Sequence, residues 1–253
     1  MLPSVSVITI CLNDPHGARR TIESVRQQDY ESLEYVVVDG GSDQDTLAVY
    51  ASHADAIDVL ISEPDRGIYD AMNKGLRSAH GEWYIMMNSG DVFANESAVR
   101  ENMSIIAAGE VNWGGGGSRI HFQDGTTKLY FSGAADRIFH QQSVFVRRAL
   151  HEVYGYFHVN LASMAWDYFF FHLIREEPFR STGLVVSDCD GTGVSSSVRN
   201  YLHTQVIAYL FGRQGRVKTA ISLLLYPLYR RSVFLRWLFR NRGQSVVDSR
   251  GTT

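Results

Sequence analysis

Residues 83–91 read Trp83-Tyr84-Ile85-Met86-Met87-Asn88-Ser89-Gly90-Asp91. Five apolar residues stand in a row, with Gly81 before them and Ser89-Gly90 after, which is the length and punctuation of a buried strand rather than a helix. The run stops on Asn88-Ser89-Gly90-Asp91, so polar groups gather just beyond the strand's carboxyl end. In an open α/β sheet that crevice is where ligands bind. Asp91 becomes the first candidate for handling a metal or a phosphate. Taken alone, the tetrapeptide reads as a plain turn, since its four residues are the commonest turn formers. The chain before it weighs against that reading.

Upstream, Val5 to Ile10 is a β-branched run that opens into Cys11-Leu12-Asn13-Asp14-Pro15, and Ala18 to Gln28 carries apolar residues at helical spacing. Leu33 to Val38 is a second buried strand, ending in Asp39-Gly40-Gly41-Ser42-Asp43. A helix is expected over Thr46 to Ala54, a strand over Ile57 to Ile61, and a helix over Ile68 to Ala79 after the loop Glu63-Pro64-Asp65-Arg66-Gly67. Strands alternating with helices at these lengths imply βαβ units, and so an α/β fold with a doubly wound, mainly parallel sheet.

Successive strand ends then carry Asn13 and Asp14, Asp39 and Asp43, and Asn88 and Asp91, with Glu63 and Asp65 opening the third crossover. A parallel sheet puts all these ends on one edge, and carboxylates crowded into one crevice imply a shared cation or a donor-rich ligand. Asp43, just before a helix, reads as a cap; Asp39 and Asp91 together read as a site. Neither a P-loop lysine motif nor GxGxxG follows the first strand, so a kinase-type or dinucleotide site is not supported. Gly114 to Gly117 lacks a following Lys-Ser or Lys-Thr and reads as a flexible link between strands.

The 253 residues can bury a substantial core, and two distant cysteines, Cys11 and Cys189, give neither a disulfide framework nor a zinc knuckle, which suits a reducing cytosol. No signal peptide is expected from Met1 to Ser4. The net charge of −3 hides an asymmetry: residues 199–253 hold ten basic residues against Asp248 alone, a balance of +9, leaving −12 for residues 1–198. Helices are expected over Tyr201–Phe211 and Ala220–Phe239. In the second, Pro227 and the arginines interrupt the apolar run, so it is a poor membrane span. Basic residues beside Tyr226, Tyr229 and Trp237 suit a helix lying on an anionic membrane surface, with docking on the acidic body or a homodimer interface as the alternatives. Nucleic acid is not an expected partner, because the basic residues sit in an apolar tail rather than along a groove.

The strings V-S-V-I-T-I-C-L-N, V-V-V-D-G-G-S-D, I-S-E-P-D-R-G-I-Y-D-A-M-N-K-G and M-N-S-G-D, in that order, resemble the family 2 glycosyltransferases of GT-A fold. More narrowly they resemble bacterial colanic-acid, exopolysaccharide and O-antigen transferases. Phe139 to Arg148 (FHQQSVFVRR) and Ala165 to Phe169 (AWDYF) continue the likeness, which covers roughly residues 4–197. It implies a catalytic domain over 1–198, with a nucleotide-binding half (1–93) and an acceptor-binding half (94–198), followed by the helical basic tail 199–253. It further implies a hexosyltransferase that moves a sugar from a nucleotide diphosphate donor, a UDP-sugar by preference, with inversion. The acceptor would be a hydroxyl of a cell-surface glycan or lipid-linked saccharide, at the inner face of the plasma membrane.

Carried over by position, Thr9, Asn13, Asp39 and Asp65 resemble nucleoside contacts, and Asp70, Asn73 and Lys74 resemble residues lining the ribose and diphosphate. His140 and Gln141 resemble a pair near the diphosphate or the acceptor. Asn88 to Asp91 occupies the DxD position, with Asn88 in place of its first Asp. Asp91 is then the motif's one anionic ligand for Mg²⁺ or Mn²⁺, which prefers phosphate oxygens and can be held jointly with a diphosphate. Asp167 resembles the catalytic base. Two rival readings stay open: a sugar-phosphate nucleotidyltransferase, against which the absent Gly- and Lys/Arg-rich loop counts, and a non-catalytic nucleotide-sugar-binding or scaffold protein that keeps the fold.

Overall fold

The computed structural model describes residues 2–133, 139–159, 165–191, 209 and 215–231 of the chain. It divides into two units, residues 1–194 and 195–253.

In the first unit β1 (Val5–Cys11), β2 (Leu33–Asp39), β3 (Val59–Ser62) and β4 (Trp83–Met86) alternate with α1 (Pro15–Arg26), α2 (Gln44–Ser52) and α3 (Ile68–Ser78). All four strands are parallel, in the spatial order β3-β2-β1-β4, as the βαβ pattern requires. Helix α1 starts three residues before the apolar periodicity does. Asp14 caps it by accepting from the Gly17 N–H, and Pro15 occupies the first turn, where a missing N–H costs nothing. Asp43 caps α2 as expected, accepting from the Thr46 N–H.

Beyond β4 the sheet becomes mixed. β5 (Val92–Phe93), α4 (Ala98–Ala107), β6 (Trp113–His121), β7 (Thr127–Phe131), β8 (Val144–Arg147), α5 (Leu150–Tyr154), α6 (Ala165–Glu176) and β9 (Phe179–Asp190) extend it as β4-β8-β6-β9-β5, with β7 on β6. β8 is antiparallel to both β4 and β6, while β6 and β9 run parallel. One sheet thus passes through both expected halves of the domain.

Side chains alternate across it. Val5, Val7, Tyr35, Val37, Trp83 and Ile85 pack against the α1 and α4 face, and Ile8, Val36, Val38, Tyr84 and Met86 against the α3 and α6 face. Burial on both sides explains why these strands read as continuous apolar runs.

Gly114 to Gly117 corrects the sequence expectation. These residues are not a link: they are buried in the middle of β6, where β8 and β9 close in from either side. A Cβ on Gly115 would lie 2.1 Å from the Ser143 carbonyl oxygen, and one on Gly116 2.0 Å from that of Leu184. Glycine is required there for close approach of backbones, a reason that a flexible linker and a crowded strand share in sequence.

The second unit contributes α7 (Arg216–Arg231), which overlaps the expected tail helix; the Tyr201–Phe211 expectation lies outside the described residues apart from Tyr209. Among the described residues no helix is long and apolar enough to cross a membrane.

Candidate functional site

The β4 strand hands over to a tight loop that remains tied to β1, since the Met87 and Ser89 N–H groups donate to the Ile8 and Ile10 carbonyls. Gly90, at φ +92°, makes the turn that an L side chain resists. The loop is fastened to α1: the Ser89 hydroxyl donates to Asp14 (2.8 Å), the Gly90 N–H to the Thr21 hydroxyl (3.0 Å), and Thr21 in turn to the Asp91 carbonyl (2.8 Å).

Asp91 is therefore held from behind and only 7% exposed. Its Oδ2 accepts from Gln142 Nε2 at 2.8 Å. Burial raises its pKa to about 6; hydrogen bonds from Gln142, Cys189 and the Asp190 backbone act against that rise, and the Asp190 charge adds to it. Asn88 Oδ1 and Gln141 Oε1 are buried and have no hydrogen-bond partner.

A carboxylate and an orphaned amide oxygen, three residues apart at a strand's carboxyl end, are hard oxygen donors that fit Mg²⁺ or Mn²⁺. No group of three or more His, Cys, Asp or Glu side chains capable of holding a metal occurs among the described residues. The donor set therefore fits an ion that also binds the phosphates of a ligand.

The nucleoside candidates gather one loop away, joined to Asp91 through the adjacent Asn13 and Asp14. Asn13 adopts a left-handed φ of +51°, its side-chain oxygen accepts from the Asp43 N–H (2.9 Å), and its own N–H donates to Ser42 Oγ (2.8 Å). Asp65 accepts from the Gly67 N–H at 2.7 Å and lies against Gly40, where a Cβ would meet its Oδ2 at 2.5 Å. The structure thus brings Asn13, Asp39 and Asp65 together.

Asp39 itself has no exposed surface. Its carboxylate accepts from Gly41 N–H (3.1 Å), Ser42 N–H (3.0 Å), Ser62 Oγ (2.8 Å) and Tyr50 Oη (3.4 Å). Burial alone would raise its pKa, but the hydrogen bonds from Ser42, Ser62 and Gly41 outweigh burial and hold it below the ordinary carboxylate value. With four donors on two oxygens, Asp39 shapes the 40–43 loop rather than presenting a free carboxylate.

Other candidates are placed differently from the expectation. Thr9 is interior, donating to the Met87 carbonyl (2.7 Å) and accepting from Tyr35 Oη (3.0 Å), so it ties β1 to its neighbours. Asn73 spends its whole amide on the backbone of Phe157, donating at 2.7 Å and accepting at 3.0 Å. Asp70 pairs with Arg66 through Nη2 (3.2 Å) and the backbone N–H (3.0 Å), and this partner holds its carboxyl below the usual range. Lys74 is engaged by Glu63 (2.8 Å) and the Pro64 carbonyl (2.9 Å), bracing the 63–67 loop. All four groups have protein partners that a ligand would have to replace.

The His140 ring lies tilted against Tyr130, centroids 5.3 Å apart, and burial lowers its pKa, which keeps it neutral. The sequence reading singled out Gln141, whereas Gln142 is the glutamine that reaches Asp91. Both lie in the short turn Gln141–Ser143, where no period marks which side chain faces the crevice. Asp167 lies in the first turn of α6, and its side chain and the preceding residues 160–164 are outside the described residues.

Comparisons with known proteins bear on the family and the fold. An uncharacterized glycosyltransferase of Mycobacterium tuberculosis is 39% identical over 122 residues, 47% of each chain, so this chain spans about half the length of that relative. A PGL/p-HBAD biosynthesis glycosyltransferase of Mycobacterium bovis is 27% identical over 180 residues, covering 66% of this chain and 68% of the relative. Among solved structures, S. aureus TarS 1-349 in complex with UDP-GlcNAc superposes with a TM-score of 0.67 at 15% identity, over 94% of this chain and 76% of TarS. The mannosyltransferase PcManGT from Pyrobaculum calidifontis, in complex with GDP-Man and Mn²⁺, gives 0.63 at 18% identity, over 95% and 79%. The last two establish the GT-A fold, and residues 6–169 match the model of Glycosyl transferase family 2. The chain belongs to that family.

Proposed function

We propose that this glycosyltransferase moves a sugar from a UDP-sugar to a hydroxyl of a cell-surface glycan or lipid-linked saccharide, with inversion at the anomeric carbon, at the inner face of the plasma membrane. The observation that carries the reading is the buried Asp91 carboxylate in the same short loop as the orphaned Asn88 oxygen, with Asn13, Asp39 and Asp65 clustered at the end of the neighbouring strands. The TarS likeness supports a UDP-sugar, in that TarS is seen with UDP-GlcNAc.

In this mechanism the 40–43 and 63–67 loops hold the nucleoside, with Asn13 and Asp65 turned by their own backbone bonds and Asp39 fixing the loop. Asp91 and Asn88 would hold a divalent ion together with the diphosphate; the ion supplies charge neutralisation for the leaving group. Asp167 takes the proton of the acceptor hydroxyl, whose oxygen bonds to the anomeric carbon as the bond to the diphosphate oxygen breaks on the opposite face. His140, neutral by burial, can donate one hydrogen bond without adding charge.

Calorimetry of UDP, GDP, UDP-sugars and GDP-mannose with and without Mn²⁺ tests the reading. UDP and one UDP-sugar are expected to bind more tightly with the ion, and silence from all of them would favour a scaffold. Asp167→Asn is expected to slow transfer at least about 10²-fold, the usual share of a general base, while UDP-sugar affinity stays within about twofold. Unimpaired turnover would remove Asp167 from the mechanism.

The Asn73 clasp offers a separate check on structure. Asn73→Ala removes both buried hydrogen bonds between its amide and the Phe157 backbone, and an unfolding free energy lower by about 1–3 kcal/mol is expected. Urea titration reads it directly.

A further inference from the structure

The first turns of helix α7 carry an exposed apolar face among the described residues. Val217, Ile221 and Leu224 are 73%, 50% and 73% exposed, and steps of four and three residues place them in line on one side of the helix. Thr219, roughly opposite, is buried, and its hydroxyl returns to the Gly215 carbonyl at 3.2 Å. The packed and open sides of α7 are thus distinct.

Scattered exposed aliphatics are ordinary on a protein surface, but three aligned on consecutive turns form a stripe. Arg216 and Lys218, both exposed, project to either side of it. They belong to the segment from residue 199 onward that holds ten basic residues and one acid.

We infer that this face of α7 docks on an anionic lipid bilayer, with Val217, Ile221 and Leu224 entering the headgroup–acyl boundary and Arg216 and Lys218 on lipid phosphates. An apolar stripe flanked by cations matches that surface in both chemistries. Free phosphate would leave the stripe in water. A second copy of the chain would set +9 against +9. Residues 1–198, at −12, are repelled by the same surface, so the attraction is confined to the basic segment. The inference deepens the proposed function by naming the lipid chemistry and the residues that meet it.

Co-sedimentation of the full chain with vesicles tests it, comparing phosphatidylcholine alone with phosphatidylcholine containing about one-third phosphatidylglycerol. Binding at least tenfold stronger to the anionic vesicles, weakening with added salt, is expected. Ile221→Glu with Leu224→Glu is expected to cut that binding at least tenfold, and Lys218→Glu severalfold. Ile221→Leu with Leu224→Met should keep it.

Equal pelleting of the double-glutamate variant and the parent would overturn the inference. So would a parent that stays in the supernatant, or a dimer in light scattering that the glutamates split without changing vesicle binding. Circular dichroism on the same preparations reports folding, and UDP calorimetry separates the two readings. A parent that pellets but binds no nucleotide sinks the transferase mechanism alone, and one that binds UDP but ignores vesicles sinks the docking alone.

Discussion

Alanine at Gly115 is expected to lower the unfolding free energy by about 3 kcal/mol or more, and alanine at Gly116 by a similar amount, enough to threaten a domain of ordinary stability. The added methyl would meet the Ser143 carbonyl oxygen at 2.1 Å and Val144 Cα at 2.9 Å in one case, and the Leu184 carbonyl oxygen at 2.0 Å in the other. All three obstacles are backbone, so no rotamer change can relieve them and the strands must part. Gly115→Ala carries a second consequence: Ser143 follows Gln142, so moving its carbonyl shifts the turn that reaches Asp91. Weaker UDP binding is expected for Gly115→Ala even in the fraction that folds. Gly133 is the control, since a Cβ there meets nothing within 4 Å. Gly133→Ala should change stability by less than about 0.5 kcal/mol. Chemical denaturation of the three variants checks the set, and a Gly115→Ala protein as stable as its parent would mean that β6 and β8 are not packed as described.

Asp91→Asn separates function from stability. Ion-assisted affinity for UDP and the rate of sugar transfer are each expected to fall about 10³-fold, because removing the anionic ligand forfeits several kcal/mol of charge stabilisation at the diphosphate. The ion-free protein should at the same time become more stable near pH 7.5. The sign follows from the shift: burial, the largest cause, raises the carboxyl pKa to about 6 in the folded chain, above its value of about 4 when unfolded. The folded state thus holds the proton more tightly, so stability is greatest below pH 4, falls as pH rises from about 4 to 6, and stays reduced above that. A shift of about two units corresponds to roughly 3 kcal/mol. Asparagine removes the ionisation and keeps an oxygen for Gln142, but its new N–H₂ needs an acceptor, so a gain of about 1–2 kcal/mol is expected. Thermal melts of parent and variant at pH 4.5 and 7.5, without metal and then with UDP and Mn²⁺, read both effects. Identical pH dependence in the two proteins would show that Asp91 is not the buried group described.

A carboxylate buried at a cost in stability is the usual mark of a site arranged for binding rather than for folding. Asp39 makes the contrast: equally buried, it is offered four donors and its pKa falls. Two aspartates, beyond β2 and β4 on either side of β1, have opposite electrostatics: burial prevails at Asp91, and hydrogen bonds outweigh it at Asp39.

Read as sequence, the chain already determined its α/β class, the parallel run of β1 to β4, the placing of Asn13, Asp39, Asp65 and Asp91 on one edge, and the cap at Asp43. Each of these depends on local pattern: period, strand length, the carboxyl end of a run, or a capping residue before a helix. The opposed charge of body and tail was equally legible, being a matter of composition. Only the tertiary structure decided that Thr9 and Asn73 serve the interior, that Lys74 braces a loop, that Gln142 rather than Gln141 holds Asp91, and that four glycines form a strand. Those outcomes turn on partners 10 to 84 residues away in sequence, such as Pro64 for Lys74, Tyr35 for Thr9 and Phe157 for Asn73. No periodicity records such a partner, because the hydrogen bond that assigns the role exists only after the sheet has brought its strands together.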